Sequence, residues 1–157
     1  MSTHPSIDSK AEDAVKAAFI AIGETDWTDL VSSLGFTVNQ GGDPDEMETP
    51  CVNLYCSGPD PYESLSAGKL ADRYALQITA QVITNAEDQT RAQHANLFGL
   101  IQAIGIQSAD QMVTELNAAG VSNFRASQWK HTPGGSNDYQ GQRRVSSITF
   151  SLICHRV

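Results

Sequence analysis

Ala11, Ala14, Val15, Ala18, Phe19 and Ile22 recur at spacings of three and four, one apolar stripe of an amphipathic helix. Asp8 or Ser9 can cap it, Glu12 and Asp13 lie in the first turn where the helix dipole favours negative charge, and Gly23 is placed to end it. Trp27, Leu30, Val31 and Leu34 repeat the pattern in a second, short helix, with Thr25 or Asp26 as cap and Gly35 as stop. Gln40 to Pro50 is rich in glycine, proline and carboxylates, which predicts an exposed loop. Cys51 to Cys56 then alternates, with Val52, Leu54 and Cys56 on one face and Asn53 and Tyr55 on the other; Ser57-Gly58-Pro59-Asp60-Pro61 breaks this short strand.

A longer strand is predicted over Leu76 to Thr84, starting near Asp72. Leu76, Ile78, Ala80 and Val82 form its dry face, and Gln77, Thr79 and Gln81 its wet one. Asn85 is the predicted cap of the main helix, Ala86 to Ile104, with Leu97, Leu100, Ile101 and Ile104 as its stripe and Ala92 and Ala95 extending it. Ser108 and Gln111 match a capping box for a further helix, Ala109 to Ala119, closed by Gly120. Val121 to His131 can make a strand, though its alternation is weak, and Thr132 to Gln142 is a polar loop by its Pro133, Gly134, Gly135 and Gly141. Arg143 to Arg156 is the clearest strand: Ile148, Phe150, Leu152 and Cys154 alternate with Ser147, Thr149, Ser151 and His155.

The element order, α-α-β-β-α-α-β-β, predicts one α+β domain spanning residues 1–157, a mainly antiparallel sheet of about four strands with helices on one face. The second face would carry Gln77, Thr79, Gln81, Thr149 and Ser151. Solvated faces usually carry Lys and Glu, so a polar but uncharged face fits a partner surface, with an ordinary wet face as the commoner alternative.

Composition supports a folded chain. Hydrophobic residues make up 40% and charged residues 18% of 157, enough for a core that removes about 70% of the unfolded surface. The formal charge of −8 argues against a nucleic-acid binder, which needs a cationic footprint. Placement matters more than the total. Residues 1–66 hold two lysines against twelve carboxylates, whereas residues 67–157 hold eight basic and six acidic groups. From Gly120 onward Arg125, Lys130, Arg143, Arg144 and Arg156 oppose only Asp138. Such polarity suits head-to-tail packing, the acidic flank of one copy meeting the basic flank of the next. The N-terminus lacks a basic start followed by an apolar run, Ala17 to Gly23 is too short to span a bilayer, and Ala92 to Ala109 is interrupted by polar residues. Three cysteines, an odd count, are expected to be reduced thiols in a cytoplasm.

No pattern of catalytic residues stands out. Cys56 could be a nucleophile with His94, His131 or His155 as base, but no local signature surrounds it, and a small apolar residue on an inward strand face is the preferred reading. Cys154 and His155, adjacent in a strand, point to opposite faces, and Cys51 and Cys56 lack zinc-knuckle spacing, so no metal is expected. Gly41-Gly42 and Gly134-Gly135 precede no helix that would complete an anion cradle, so no cofactor is expected either. Asp43, Asp45, Glu46 and Glu48 lack the register of a calcium loop. His94 fits a helix-boundary position, Trp27 the core, and Trp129 either core or interface.

The whole order resembles the tail terminator (tail completion, or neck) proteins of long-tailed bacteriophages. The likeness is carried by a helical N-terminus, a Pro-plus-strand segment (Pro50-Cys51-Val52-Asn53-Leu54-Tyr55), a long strand (Tyr74 to Val82) running directly into a helix, and a final strand (Ser147 to Leu152). It covers nearly the full chain and rests on element order and size, without a diagnostic motif; the loop Thr132 to Gln142 and the two-part N-terminal helix depart from the family pattern. The resemblance implies a virion protein without catalysis or cofactor. It would form a ring, a hexamer, on the tail tube, ending tube growth and docking to the head-side connector, while DNA passes through the lumen. Expected contact residues are Gln77, Thr79, Gln81, Arg125, Lys130, Arg143 and Arg144 on the sheet and its edges, and Asp43, Asp45, Glu46 and Glu48 in a loop. The loops Gly41 to Glu48, Ser57 to Glu63 and Thr132 to Gln142 would reach neighbouring rings or line the channel. The alternatives are another head–tail or tail-tube component, a small cysteine hydrolase using Cys56 with His131 or His155, and an adaptor or chaperone domain using the same sheet.

Overall fold

A computed structural model describes residues 7–43, 46–61 and 73–156. The chain is α+β, and the described residues form four α-helices and a five-stranded mixed sheet. In chain order these are α1 (Ile7–Asp26), α2 (Thr28–Leu34), β1 (Val38–Gln40), β2 (Cys51–Pro61), β3 (Arg73–Asn85), α3 (Arg91–Gln102), a π-helical turn (Ala103–Gln107), α4 (Ala109–Ala118), β4 (Arg125–Gln140) and β5 (Arg143–His155). The strands lie in the order β1-β2-β3-β5-β4, all antiparallel except β1, which runs parallel to β2. The fifth strand, β1, is the one the apolar pattern does not announce; three residues are too few for alternation to show.

The predicted stripes form the core. Ala11, Ala14, Val15, Ala18, Phe19 and Ile22 of α1 pack with Leu97, Leu100, Ile101 and Ile104, and with the inward rows of β2, β3 and β5. At its centre Trp129 stacks on Phe150 (centroids 4.7 Å apart, planes at 24°), and Phe19 meets both rings edge-on. Trp129 is thus a core residue. Its indole donates to the carbonyl of Gly105 at 3.0 Å. The π-helical turn brings Gly105 so close that a Cβ there would lie 2.3 Å from Phe150 Cζ, so any larger residue would force the buried ring to move.

Several local expectations are corrected. Helix α1 continues past Gly23 to Asp26 because the glycine packs under Val31, where the lack of a side chain permits the contact. The cap of α3 is Thr90, in a reciprocal capping box with Gln93, while Asn85 makes a turn to Glu87 N (3.0 Å). Ala92 and Ala95 are exposed and His94 faces inward instead. Ser108 caps nothing through its side chain; its hydroxyl accepts from the Trp27 indole (3.2 Å). Strand β2 runs through Ser57–Pro61 with a register shift after Ser57. The largest correction is Thr132 to Gln142, most of which is strand. β4 begins later than Val121 and continues to Gln140, with a bulge between Thr132 and Gly135 that accommodates Pro133 and Gly134, and it turns back only at Gly141. Gly135 sits against the β5 backbone, where a Cβ would lie 2.6 Å from Ser147 O.

Candidate functional site

The helices gather on the apolar face of the sheet, and the opposite face is largely open. Register places its side chains in cross-strand rows: Ser57–Gln77–Ser151–Lys130, Tyr55–Thr79–Thr149–Thr132, and Asn53–Gln81–Ser147–Ser136. Hydrogen bonds tie these rows together. Asn53 Nδ2 donates to Gln81 Oε1 (3.0 Å), and hydroxyl pairs join Thr132 to Ser151 and Ser136 to Ser147, each at 2.7 Å. Ser57 adds a longer bond to Gln77 Oε1 (3.3 Å). Gln77, Ser151 and Lys130 are exposed, Gln81 is half-buried, and Thr79 is closed in by its neighbours to 8% exposure.

One end of this face is covered. Cys51 and Ile83 point outward by alternation yet are buried, apart from the main core. The loop after β1 lies there: Met47 Sδ is 3.9 Å from Cys51 Sγ, and Asn53 Nδ2 donates to Gly42 O (3.3 Å). The acidic loop is therefore pinned on the sheet by one thioether and one amide. Asp43, Glu46 and Glu48 are exposed on it, and Asp45 lies outside the described residues.

The predicted basic residues separate. Arg125 and Lys130 are exposed on β4 with their positions on the open face. Arg143 is half-buried on the same face; burial pushes the nearby Cys51 thiol up, and the Asn39 side chain and the Arg143 charge offset only part of that rise. Arg144 belongs to the helical face, where it donates to Gln89 O (2.9 Å) and sits beside His94, so it leaves the expected contact set. Strand order turns the polarity of the sequence into a polarity in space. The acidic N-terminal part forms the β1/β2 edge, with Glu12 and Asp13 of α1 beside it, and Arg125 and Lys130 lie on β4 at the opposite edge.

Cys56 does not have the surroundings of a nucleophile. Burial, with Asp8 and then Glu12 adding their negative charge, pushes its thiol up to about 12, away from the thiolate. Cys56, Ile78, Phe150 and His131 share one row, so two strands separate the thiol from that imidazole, about 14 Å at the usual strand spacing. His155 alternates to the other face from Cys56 and lies 3.4 Å from Ser127 Oγ. Cys154 is also pushed up to about 12 by burial. Among the described residues no group of His, Cys, Asp and Glu could hold a metal ion. No helix among them is long and apolar enough to cross a membrane.

A polar cluster that sequence reasoning missed lies under α3. His94, 4% exposed, has Nδ1 2.7 Å from Thr84 Oγ1 and Nε2 2.7 Å from Ser146 Oγ, and Ser146 donates to Asn137 Oδ1 at 2.6 Å. One proton assignment satisfies every atom: Thr84 donates to Nδ1, Nε2–H donates to Ser146, and Ser146 donates to Asn137. The imidazole thus gives a proton to the serine hydroxyl and does not accept one, and its other nitrogen faces a hydroxyl where a serine nucleophile's partner would need a carboxylate. Burial, and then Arg144, holds its pKa below the usual histidine value. The cluster is a neutral clamp joining α3 to β3, β5 and β4. His94 and Ser146 are 52 positions apart, so no local signal marks it. No protein-family model matches this chain, and no curated protein matches it.

Proposed function

We propose that this protein is a structural component of a long-tailed phage virion that assembles as a ring, caps the tail tube and offers the surface that joins tail to head. One observation carries the reading: an open sheet face of mainly uncharged polar rows, flanked by an acidic edge on one side and a basic edge on the other. A surface with different flanks is suited to repeated heterologous contact, because each copy can present one flank to the next. Hydrogen-bonded Ser, Thr and Gln rows present donors and acceptors to a partner without burying charge, which lowers the desolvation cost of contact. The chain's acidity fits a lumen through which DNA slides without being held. In this role the protein meets itself, the tail-tube protein and the head-side connector.

The cysteine hydrolase alternative loses its support, since the thiol is held protonated and lies far from His131. The test is the mass of the purified protein at two concentrations together with its effect on tail-tube length in an assembly reaction. Concentration-dependent assembly to a closed oligomer, with shortened tubes, is the expected result. A monomer at high concentration with unchanged tube length overturns the proposal. Electron microscopy separates a capping ring from a tube subunit, which would polymerise unaided.

A further inference from the structure

Both edges of the sheet hold side chains in the place of a missing strand. On one side β1 pairs with β2 only at Val52, Asn53 and Leu54. Gly41 N still donates to Leu54 O (2.9 Å), and the chain then turns away through Gly41, whose φ of 59° favours glycine. β2 continues to Pro61, and among the described residues no strand lies outside Tyr55–Pro61 on that side. The amide of Cys56, next in the alternation after Val52 and Leu54, donates to Glu12 Oε2 at 2.9 Å. The carboxylate stands where the carbonyl of a neighbouring strand would stand. It also borders an open groove of about 480 Å³ with Tyr55, Cys56 and Gln81.

At the other edge the carboxamide of Asn117 copies a peptide group. Its Oδ1 accepts from Ala126 N (2.7 Å) and its Nδ2 donates to Ala126 O (3.1 Å). Between the two bulges of β4, residues 128–132 keep regular pairing with β5 on one side and have no strand on the other among the described residues. These five residues are fewer than the seven of β2, Tyr55–Pro61, that have no outer strand among the described residues, so they fit within that run.

Resting on the ring reading, we infer that copies join edge to edge: β4 of one copy adds as a further strand to the free edge of β2 on a second copy. Arg125 and Lys130 of the first then face Glu12 and Asp13 of the second. Charge chooses this pairing. Joining β4 to β4, or β2 to β2, would set like charges opposite each other, which disfavours a two-fold contact and leaves the head-to-tail one. Glu12 keeps the edge quiet in the free subunit by satisfying the Cys56 amide until a strand carbonyl replaces it.

The test combines charge reversal with amide exchange. One variant carries Arg125→Glu and Lys130→Glu, the other Asp13→Lys, and sedimentation is measured for each alone and for an equal mixture. Each alone is expected to associate at least tenfold more weakly than the unaltered protein, and the mixture to recover, because the reversed edges of the two variants complement each other. In the unaltered protein, the amide of Cys56 and the amides of residues 128–132 that point away from β5 are expected to gain hydrogen-exchange protection on association. Association without that protection, or variants that associate unaltered on their own, overturns the edge contact and leaves the ring standing. An unaltered protein that stays monomeric at high concentration and does not shorten tubes removes the ring reading itself, and the edge contact with it.

Discussion

The two faces of the sheet are built from the same strands and do different work. On the helical face, alternate residues of β3 and β5 meet three helices, and Phe19, Trp129 and Phe150 interlock at the centre. Stability there comes from removing apolar surface and from close packing, so a small change in shape is felt. On the open face the same strands present hydroxyls and amides that pair with one another at the solvent boundary. Such pairs contribute little net free energy in water, which leaves that face free to be shaped by a partner. The difference teaches that this fold keeps its stability on one side and its candidate contacts on the other.

That contrast can be broken or sharpened by substitution. Phe150→Ala should give the largest loss, about 3–5 kcal/mol in denaturant unfolding, because it empties the centre of the aromatic cluster. Gly105→Ala comes next, at about 1–3 kcal/mol, since the added methyl meets the Phe150 ring. Ser146→Ala should cost about 1–3 kcal/mol in the same assay, by leaving the His94 Nε2–H without its acceptor inside the fold. At the small end, Thr132→Ala with Ser151→Ala should shift stability by no more than about 1 kcal/mol. A loss there as large as that of Phe150→Ala would erase the distinction between the faces.

Titration probes the helical face from both ends of the pH scale. His94 has its folded-state pKa below the unfolded value, so the unfolded chain binds more protons as pH falls. The stability it contributes is complete above the unfolded pKa of 6.5 and is lost as pH falls from there through the folded value. Urea unfolding at pH 7.5 and 5.5 should show the drop, and His94→Gln should flatten it. The thiols of Cys56 and Cys154 act in the opposite sense. Their folded pKa values are raised from 9.0 to about 12, so stability present below pH 9 is lost as pH rises toward 12. Thiol-reactive reagents at pH 8 should accordingly label these cysteines slowly in the folded protein and quickly in urea.

Periodic segments were legible because their signal is local. The stripe of α1 and the alternation of β3 and β5 state which side chains face inward, and the fold obeys them. The open polar face was legible for the same reason, through Gln77, Thr79 and Gln81. Pro133-Gly134-Gly135 misled because turn chemistry resembles bulge chemistry; only the β5 backbone, 2.6 Å from a hypothetical Gly135 Cβ, distinguishes the two. Arg144 looked like a member of the basic surface, yet the register of β5 with Thr84 turns it toward the helices. The His94 clamp was silent, since its partners come from three other elements.

By itself the sequence determined the amphipathic elements, the uncharged character of one strand face and the order of charge along the chain. Each of these depends on neighbours a few positions apart. Tertiary structure decided that β3 and β5 pair at the centre while β1 and β4 stand at opposite edges, because strand order depends on contacts between residues far apart in the chain. That order converts a charge gradient along the polypeptide into an acidic edge and a basic edge on one sheet.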